Sequence, residues 1–349
     1  MKFILPLLST VLLISCAAQP KYKDVVLEGP AADLAFHEWS AALPHSFTYP
    51  VEYRFDMNFG LLGIPELEGE KAVFKVGSDV SLVSAWDYRM QSKLSLEVLG
   101  QEIYFNLGTE SNSEELRISM DNTEFIAMQL GADLPSGVVL STDRVRQVWD
   151  LILHLTQISV ESVEGFEDFA AFSESLTGFG DFAHPMLNSR YLAMSPMLAA
   201  GRWQVEGDQV HVNFKLNKEL FEEMMMSPSF AEAGMDMDMI SEVADNMVTT
   251  GTFNVLDGSM SNMTVLASIP FADDFGDSQP VEMSMTFDCS PLVNPVAPVE
   301  FSDPSSAMDL NTYFDEFWPM VDAMMPMLES MMRQEMMNQS GESGEDFDF

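Results

Sequence analysis

From Phe47 to Phe59 every second residue is apolar or aromatic, and Thr48, Pro50, Glu52, Arg54, Asp56 and Asn58 take the intervening positions. A period of two sends successive side chains to opposite faces, so this stretch predicts a half-buried antiparallel strand. Similar runs at Ala72 to Val76, Val80 to Met90, Leu94 to Leu99, Ile103 to Leu107, Leu116 to Met120 and Phe125 to Leu130 are separated by Gly77, Gly100 and the polar Gly108 to Ser113. Short connections of this kind join antiparallel neighbours, and the region predicts a meander. Arg202 to Glu206 turns through Gly207 and Asp208 into the strict alternation of Val210, Val212, Phe214 and Leu216. A hairpin at Val248 to Leu256 and Ser259 to Ile269 turns at Asp257 and Gly258, and Val281 to Cys289 supplies one more strand.

Helical periods interrupt the strands. Leu34, Ala35, Trp39, Ala42 and Leu43 fit one face of a helix over Ala31 to Leu43. Thr142 is placed to cap a helix running to about Ser159, and Asn217 to cap one running to Met224, Met225 and Met226. A further helix is predicted over Phe230 to Met247, and a Met-rich one over Asp309 to about Asn338. The fold class expected is α+β, mainly antiparallel: one large curved sheet or half-open barrel with helices over its concave face. The expected domains are a sheet region over 31–304 with helical insertions at about 142–198 and 217–247, a Met-rich helix over 305–338, and an acidic tail over 339–349.

The first residues have another pattern. Met1 and Lys2 precede an apolar run from Phe3 to Ile14, too short for the roughly 20 residues that a spanning helix needs. The layout is that of an export signal over 1–15. Leu13, Ile14, Ser15 and Cys16 resemble the lipobox of bacterial lipoproteins. The resemblance implies cleavage before Cys16 and a diacylglyceryl group on its thiol, with 16–30 as a tether. It implies a lipid-anchored envelope protein, and Ala17 in place of an Asp points to the outer membrane. An ordinary signal cut after Ala18 is the alternative.

Composition narrows the partners. The chain of 349 residues holds 55 acidic side chains against 16 Lys and Arg, a formal charge of -39. Such a field repels nucleic acid and anionic headgroups, and neither is an expected partner. The acids are spread along the chain, as on a solvating surface; Met235 to Met239, the nearest approach to a calcium loop, lacks its Gly and its final Glu. With Cys16 lipidated, Cys289 has no disulfide partner and is expected among the apolar neighbours of its strand. His37, His45, His154, His184 and His211 show no metal spacing, and neither a Gly-x-Ser-x-Gly elbow nor a phosphate loop occurs. No catalytic residue and no cofactor is expected.

At pattern level the strand at Val51 to Phe59, the strand at Gln101 to Leu107, and the Asp257–Gly258 hairpin followed by Val281 to Asp288 and a Pro-rich exit resemble lipoprotein carriers and lipid-binding lipoproteins. The resemblance covers about 31–303 and implies a half-open barrel over an apolar cavity. From the strand alternation, not from the resemblance, Phe47, Tyr49, Tyr53, Phe55 and Phe59, together with Met283, Met285 and Phe287, are the expected contacts of a ligand such as a lipid or acyl chain; a solid core, leaving a structural or protein-interaction role, is the alternative. The 28 methionines allow two further readings. Met320, Met324, Met327 and Met331 fall on one side of a helix, as a packing row or an adaptable lid would; as soft thioethers they also suit copper(I), although no His or Cys accompanies them.

Overall fold

The computed structural model describes residues 25–43, 49–63, 71–122, 127, 135–160, 178, 188–225, 237–272, 278–301 and 307–342. In chain order the elements are β1 (Val26–Glu28), α1 (Pro30–Ala42), β2 (Val51–Leu62), β3 (Ala72–Leu82), β4 (Tyr88–Val98), β5 (Gln101–Ser111), β6 (Glu115–Asp121), β7 (Gly137–Ser141) and α2 (Thr142–Val160). They continue as α3 (Ser189–Ala193), β8 (Leu198–Glu206), β9 (Gln209–Leu216), α4 (Lys218–Met225), α5 (Met237–Asn246), β10 (Val248–Asn254), β11 (Met260–Ala272), β12 (Ser278–Pro291), β13 (Met308–Asp309) and α6 (Asn311–Glu342).

The fold is α+β. Its strands form one 13-stranded sheet in the order β1-β8-β9-β10-β11-β12-β2-β3-β4-β5-β6-β7-β13, open at both edges. The pairs β1–β8, β8–β9, β9–β10, β10–β11, β11–β12, β12–β2 and β6–β7 are antiparallel, and β13 pairs parallel with β7. Two compact units divide the chain. The first holds β1, β2, β3 to Ser81, β4 from Met90, β5 to Leu107, β8 to β12, α1, α3, α4 and α5. The second holds Leu82–Arg89, the end of β5, β6, β7, β13, α2, α6 and the segment from Pro298.

The core of the first unit forms where α1 lies on β8. Pro30 opens α1 after Gly29, and Ala32, Ala35, Phe36, Trp39 and Leu43 recur at helical spacing on its buried face. Phe36 meets Phe214 edge-on at 5.2 Å, Trp39 meets Trp203 at 5.3 Å, and the Trp39 indole donates to the Val255 carbonyl at 3.0 Å. The pairing of β8 with β9 shifts between Ala200 and Arg202. At that irregularity the Ala200 amide donates to the Asp33 carboxylate of α1 at 2.8 Å, and the Gly29 amide donates to the Gly201 carbonyl at 2.9 Å.

Several boundaries differ from the sequence expectation. The stretch expected as three strands with a break at Gly77 forms two long ones, β3 and β4, with Gly77 inside β3 and the turn at 83–87. Ser84 makes that turn, its hydroxyl accepting from the amides of Trp86 and Asp87. Thr142 opens α2, and its hydroxyl donates to the Asn112 carbonyl at 2.7 Å, which ties the helix to the β5–β6 turn. Asn217 accepts from the Leu220 amide at 3.4 Å, as a capping residue does. The strand expected over Phe125 to Leu130, apart from position 127, lies outside the described residues, as do residues 1–24 and 343–349.

Candidate functional site

Because residues directly opposite in an antiparallel pair share a face, the registers trace side-chain rows across the first unit. One row runs Trp203, Val212, Gly251, Met263, Phe287, Met57, and a second runs Ala200, Phe214, Thr249, Val265, Met285, Phe59. The same pairing sets Met283 opposite Leu61, Cys289 opposite Phe55 and Pro291 opposite Tyr53. Gly251 is bare because a Cβ there would lie 2.7 Å from the Phe253 ring and 3.1 Å from that of Phe214.

The two ends of these rows are covered unequally. At the α1 end Trp203 and Phe253 are fully enclosed. At the β12–β2 end Tyr53, Phe55, Met57, Phe59, Met283, Met285 and Phe287 stay half-buried. Phe55 and Phe287 lie 5.9 Å apart with a 30° tilt, forming an aromatic diagonal in this half-covered area. Tyr49, also half-buried, precedes β2, while Phe47 lies outside the described residues. The β-pattern thus brings Tyr53, Phe55, Phe59, Met283, Met285 and Phe287 onto one face.

The opposite face is polar. Arg54 donates to Asp56 at 2.8 Å and to Asp79 at 3.0 Å, Ser81 donates to Glu52 at 3.2 Å, and Asn262 donates to Asp288 at 2.7 Å. Burial on the apolar face moves its titrating groups in the direction of the neutral form. The Cys289 thiol is pushed up to about 11, and the Tyr53 phenol is raised by burial first and by its proximity to Cys289 second. Cys289 is half-buried, not fully enclosed.

The histidines among the described residues have local partners. His37 bonds the Asp33 carbonyl at 2.9 Å, His154 bonds Glu329 at 2.9 Å, and His211 bonds Thr252 at 3.1 Å; His45 and His184 lie outside the described residues. No group of three or more His, Cys, Asp or Glu stands close enough to hold a metal among the described residues. Met320, Met324, Met327 and Met331 lie on α6 in the second unit with exposed side chains. The expectation of a packing row at these four positions is therefore corrected: α6 packs on α2 and β7, and the half-buried row is the neighbouring one with Phe314, Trp318, Val321, Met325 and Leu328. No helix among the described residues is long and apolar enough to cross a membrane. Neither a protein-family model nor a curated protein matches the chain.

Proposed function

We propose that the chain is a non-enzymatic lipoprotein of the cell envelope, anchored through lipid on Cys16 to the outer membrane, that binds an apolar or amphiphilic ligand such as a lipid or acyl chain. One observation carries the binding half of this reading. The apolar rows that close tightly under α1 continue onto β11, β12 and β2, where Tyr53, Phe55, Phe59, Met283, Met285 and Phe287 keep part of their surface accessible. Accessible aromatic and thioether groups give adaptable apolar contact to flexible chains. The open antiparallel sheet is compatible with the resemblance to lipoprotein carriers and lipid-binding lipoproteins. The anchoring half rests on Leu13, Ile14, Ser15 and Cys16 at the end of the apolar leader.

Titration of the full chain with an environment-sensitive apolar dye tests the binding half. Saturable uptake that a long-chain fatty acid displaces supports it, and absence of saturable uptake rejects it. For the anchor, Cys16→Ala in the producing cell should leave an uncleaved, unlipidated precursor; normal processing of that variant rejects the lipobox.

Copper(I) binding is a second reading, favoured by the accessibility of Met320, Met324, Met327 and Met331 on one side of α6. Calorimetry under reducing conditions tests it, since stoichiometric binding should disappear when all four become Leu.

A further inference from the structure

α6 carries two apolar rows offset by one residue. The row containing Phe314, Trp318, Val321, Met325 and Leu328 is half-buried, and α6 packs against α2 and β7. Arg144 of α2 pairs with Asp315, and His154 with Glu329 at 2.9 Å, which fixes the rotation of α6 about its own axis. The other row is Tyr313, Phe317, Met320, Met324, Met327 and Met331, each between 40% and 60% exposed. Single exposed apolar side chains are ordinary on a protein surface, whereas six in line over about 27 Å of helix mark an interaction surface.

We propose that this row is the seam of a homodimer, in which α6 packs antiparallel against α6 of a second copy about a two-fold axis near residue 322. The spacing supports a helical partner: the steps along the row alternate between four and three residues, the repeat by which one helix seats its side chains in another. The spacing of the row, though not its residue types, is the same in both directions from residue 322, so an antiparallel second copy sets position against position along the whole row. Tyr313 then meets Met331 of the partner subunit, Phe317 meets Met327 of the partner subunit, and Met320 meets Met324 of the partner subunit. Each aromatic ring gains a thioether neighbour, a favourable contact. A parallel pair would set ring on ring at one end and place Glu316 beside Glu316 of the partner subunit; the antiparallel pair separates those carboxylates by about 18 Å.

No charged side chain lies in the row itself: by helical spacing Asp315, Asp322 and Glu329 fall on the other side of α6, and among the flanking residues Glu316 is charged while Ala323 and Ser330 are neutral. Covering the row would remove about 600 Å² per copy, close to the roughly 800 Å² per partner of a stable interface, with the flanking prolines adding to it. At -39 per chain the two copies repel each other over distance, and added salt therefore strengthens the association. A basic partner docking on the same row would behave in the opposite way. This inference is independent of the ligand-binding reading.

Cysteine crosslinking in the native membrane tests it. In a Cys289→Ser background, Met320→Cys in one copy and Met324→Cys in a second, differently tagged copy should give a disulfide-linked dimer on mild oxidation. Tyr313→Cys with Met331→Cys should do the same, while Tyr313→Cys in both copies should not, because like positions lie about 27 Å apart. A crosslink between the two Tyr313→Cys copies, or none in any pairing, overturns the proposal. A second measurement covers failure of these variants to fold. The mass of the solubilised full chain by light scattering should be that of two copies at high salt, and Met324→Glu should reduce it to one copy with an unchanged circular dichroism spectrum. A single-copy mass for the unaltered chain at every salt concentration contradicts the seam.

Discussion

Phe55 and Phe287 sit 5.9 Å apart across the β2–β12 pair, and Cys289 stands directly opposite Phe55. One face of two neighbouring strands therefore holds an aromatic pair and a thiol, all half-buried, with Phe287 packed at the margin of the core under α1. If that area receives an apolar ligand, trimming it should weaken uptake more than it weakens folding. Phe287→Ala is expected to lower the affinity for an apolar dye by about tenfold or more, equivalent to ~1.4 kcal/mol. Its urea midpoint should move less than that of Phe36→Ala. Equal loss in both variants would assign Phe287 to the core alone.

The core under α1 makes a separate prediction. Phe36 is enclosed and touches Trp39, Trp203, Phe214 and Phe253 at 5.2 to 6.5 Å between ring centroids. Phe36→Ala should cost ~3–5 kcal/mol of unfolding free energy, read from denaturant titration. A cost near zero would mean that α1 is not held to β8 by this contact.

Cys289 offers a chemical probe. With its thiol pushed up to about 11 by burial, little thiolate exists at neutral pH, and thiolate is the reactive form. Reaction of the folded chain with a disulfide reagent at pH 8 should run at least about tenfold slower than in denaturant. An apolar ligand should slow it further. Fast reaction of the folded chain would show that the β12 face is open to water.

In the second unit Glu110 sets a pH dependence. Burial alone would raise its carboxyl, but the Val299 amide at 3.0 Å, the Arg89 guanidinium at 2.8 Å and the charge of Arg117 together hold it below the ordinary 4.5. A lowered folded-state value contributes stability that is present above pH 4.5 and disappears as pH falls through the folded value. Glu110→Gln should cost ~1–3 kcal/mol at neutral pH, and the difference between the two proteins should shrink with acidification below that range. A difference constant down to the acid limit would count against the Glu110 contacts.

The β4–β5 turn contains a correctable strain. Leu99 and Gly100 have φ of 53° and 71°, the left-handed pair of a tight hairpin, and Leu99 pays a steric penalty that Gly100 avoids. Leu99→Asn should stabilise the chain by ~1 kcal/mol, seen as a raised melting temperature.

Much of the sheet was legible because its pattern is local. The alternation from Val51 to Phe59, the Gly207–Asp208 turn and the Asp257–Gly258 turn each depend on adjacent residues, and strands and hairpins formed there. What escaped depends on distant contacts. Gly77 reads as a break, yet it lies within β3 because Arg54 and Asp56 of β2 occupy the space a side chain would fill, at 3.2 and 2.9 Å from an added Cβ. The turn at 83–87 has no Gly, Pro or Asn to announce it; it is closed by the Ser84 hydroxyl, which accepts from the Trp86 and Asp87 amides, and by the Asp87 carbonyl, which accepts from the Val83 and Ser84 amides. On α6 both rows satisfy a helical repeat, and the contacts with α2, not the period, determine that the Met325 row is half-buried and the Met324 row exposed. Candidate site residues were legible as a face of β2 and β12; that they are half-buried is fixed by distant packing that the alternation does not show.

A photoactivatable fatty acid mapped by peptide mass spectrometry tests the binding face most directly. Irradiation of the full chain should place the label within residues 51–62 and 278–291, with competition by unlabelled fatty acid. Label confined to α6, or no competable label at all, would contradict a ligand face on β2 and β12.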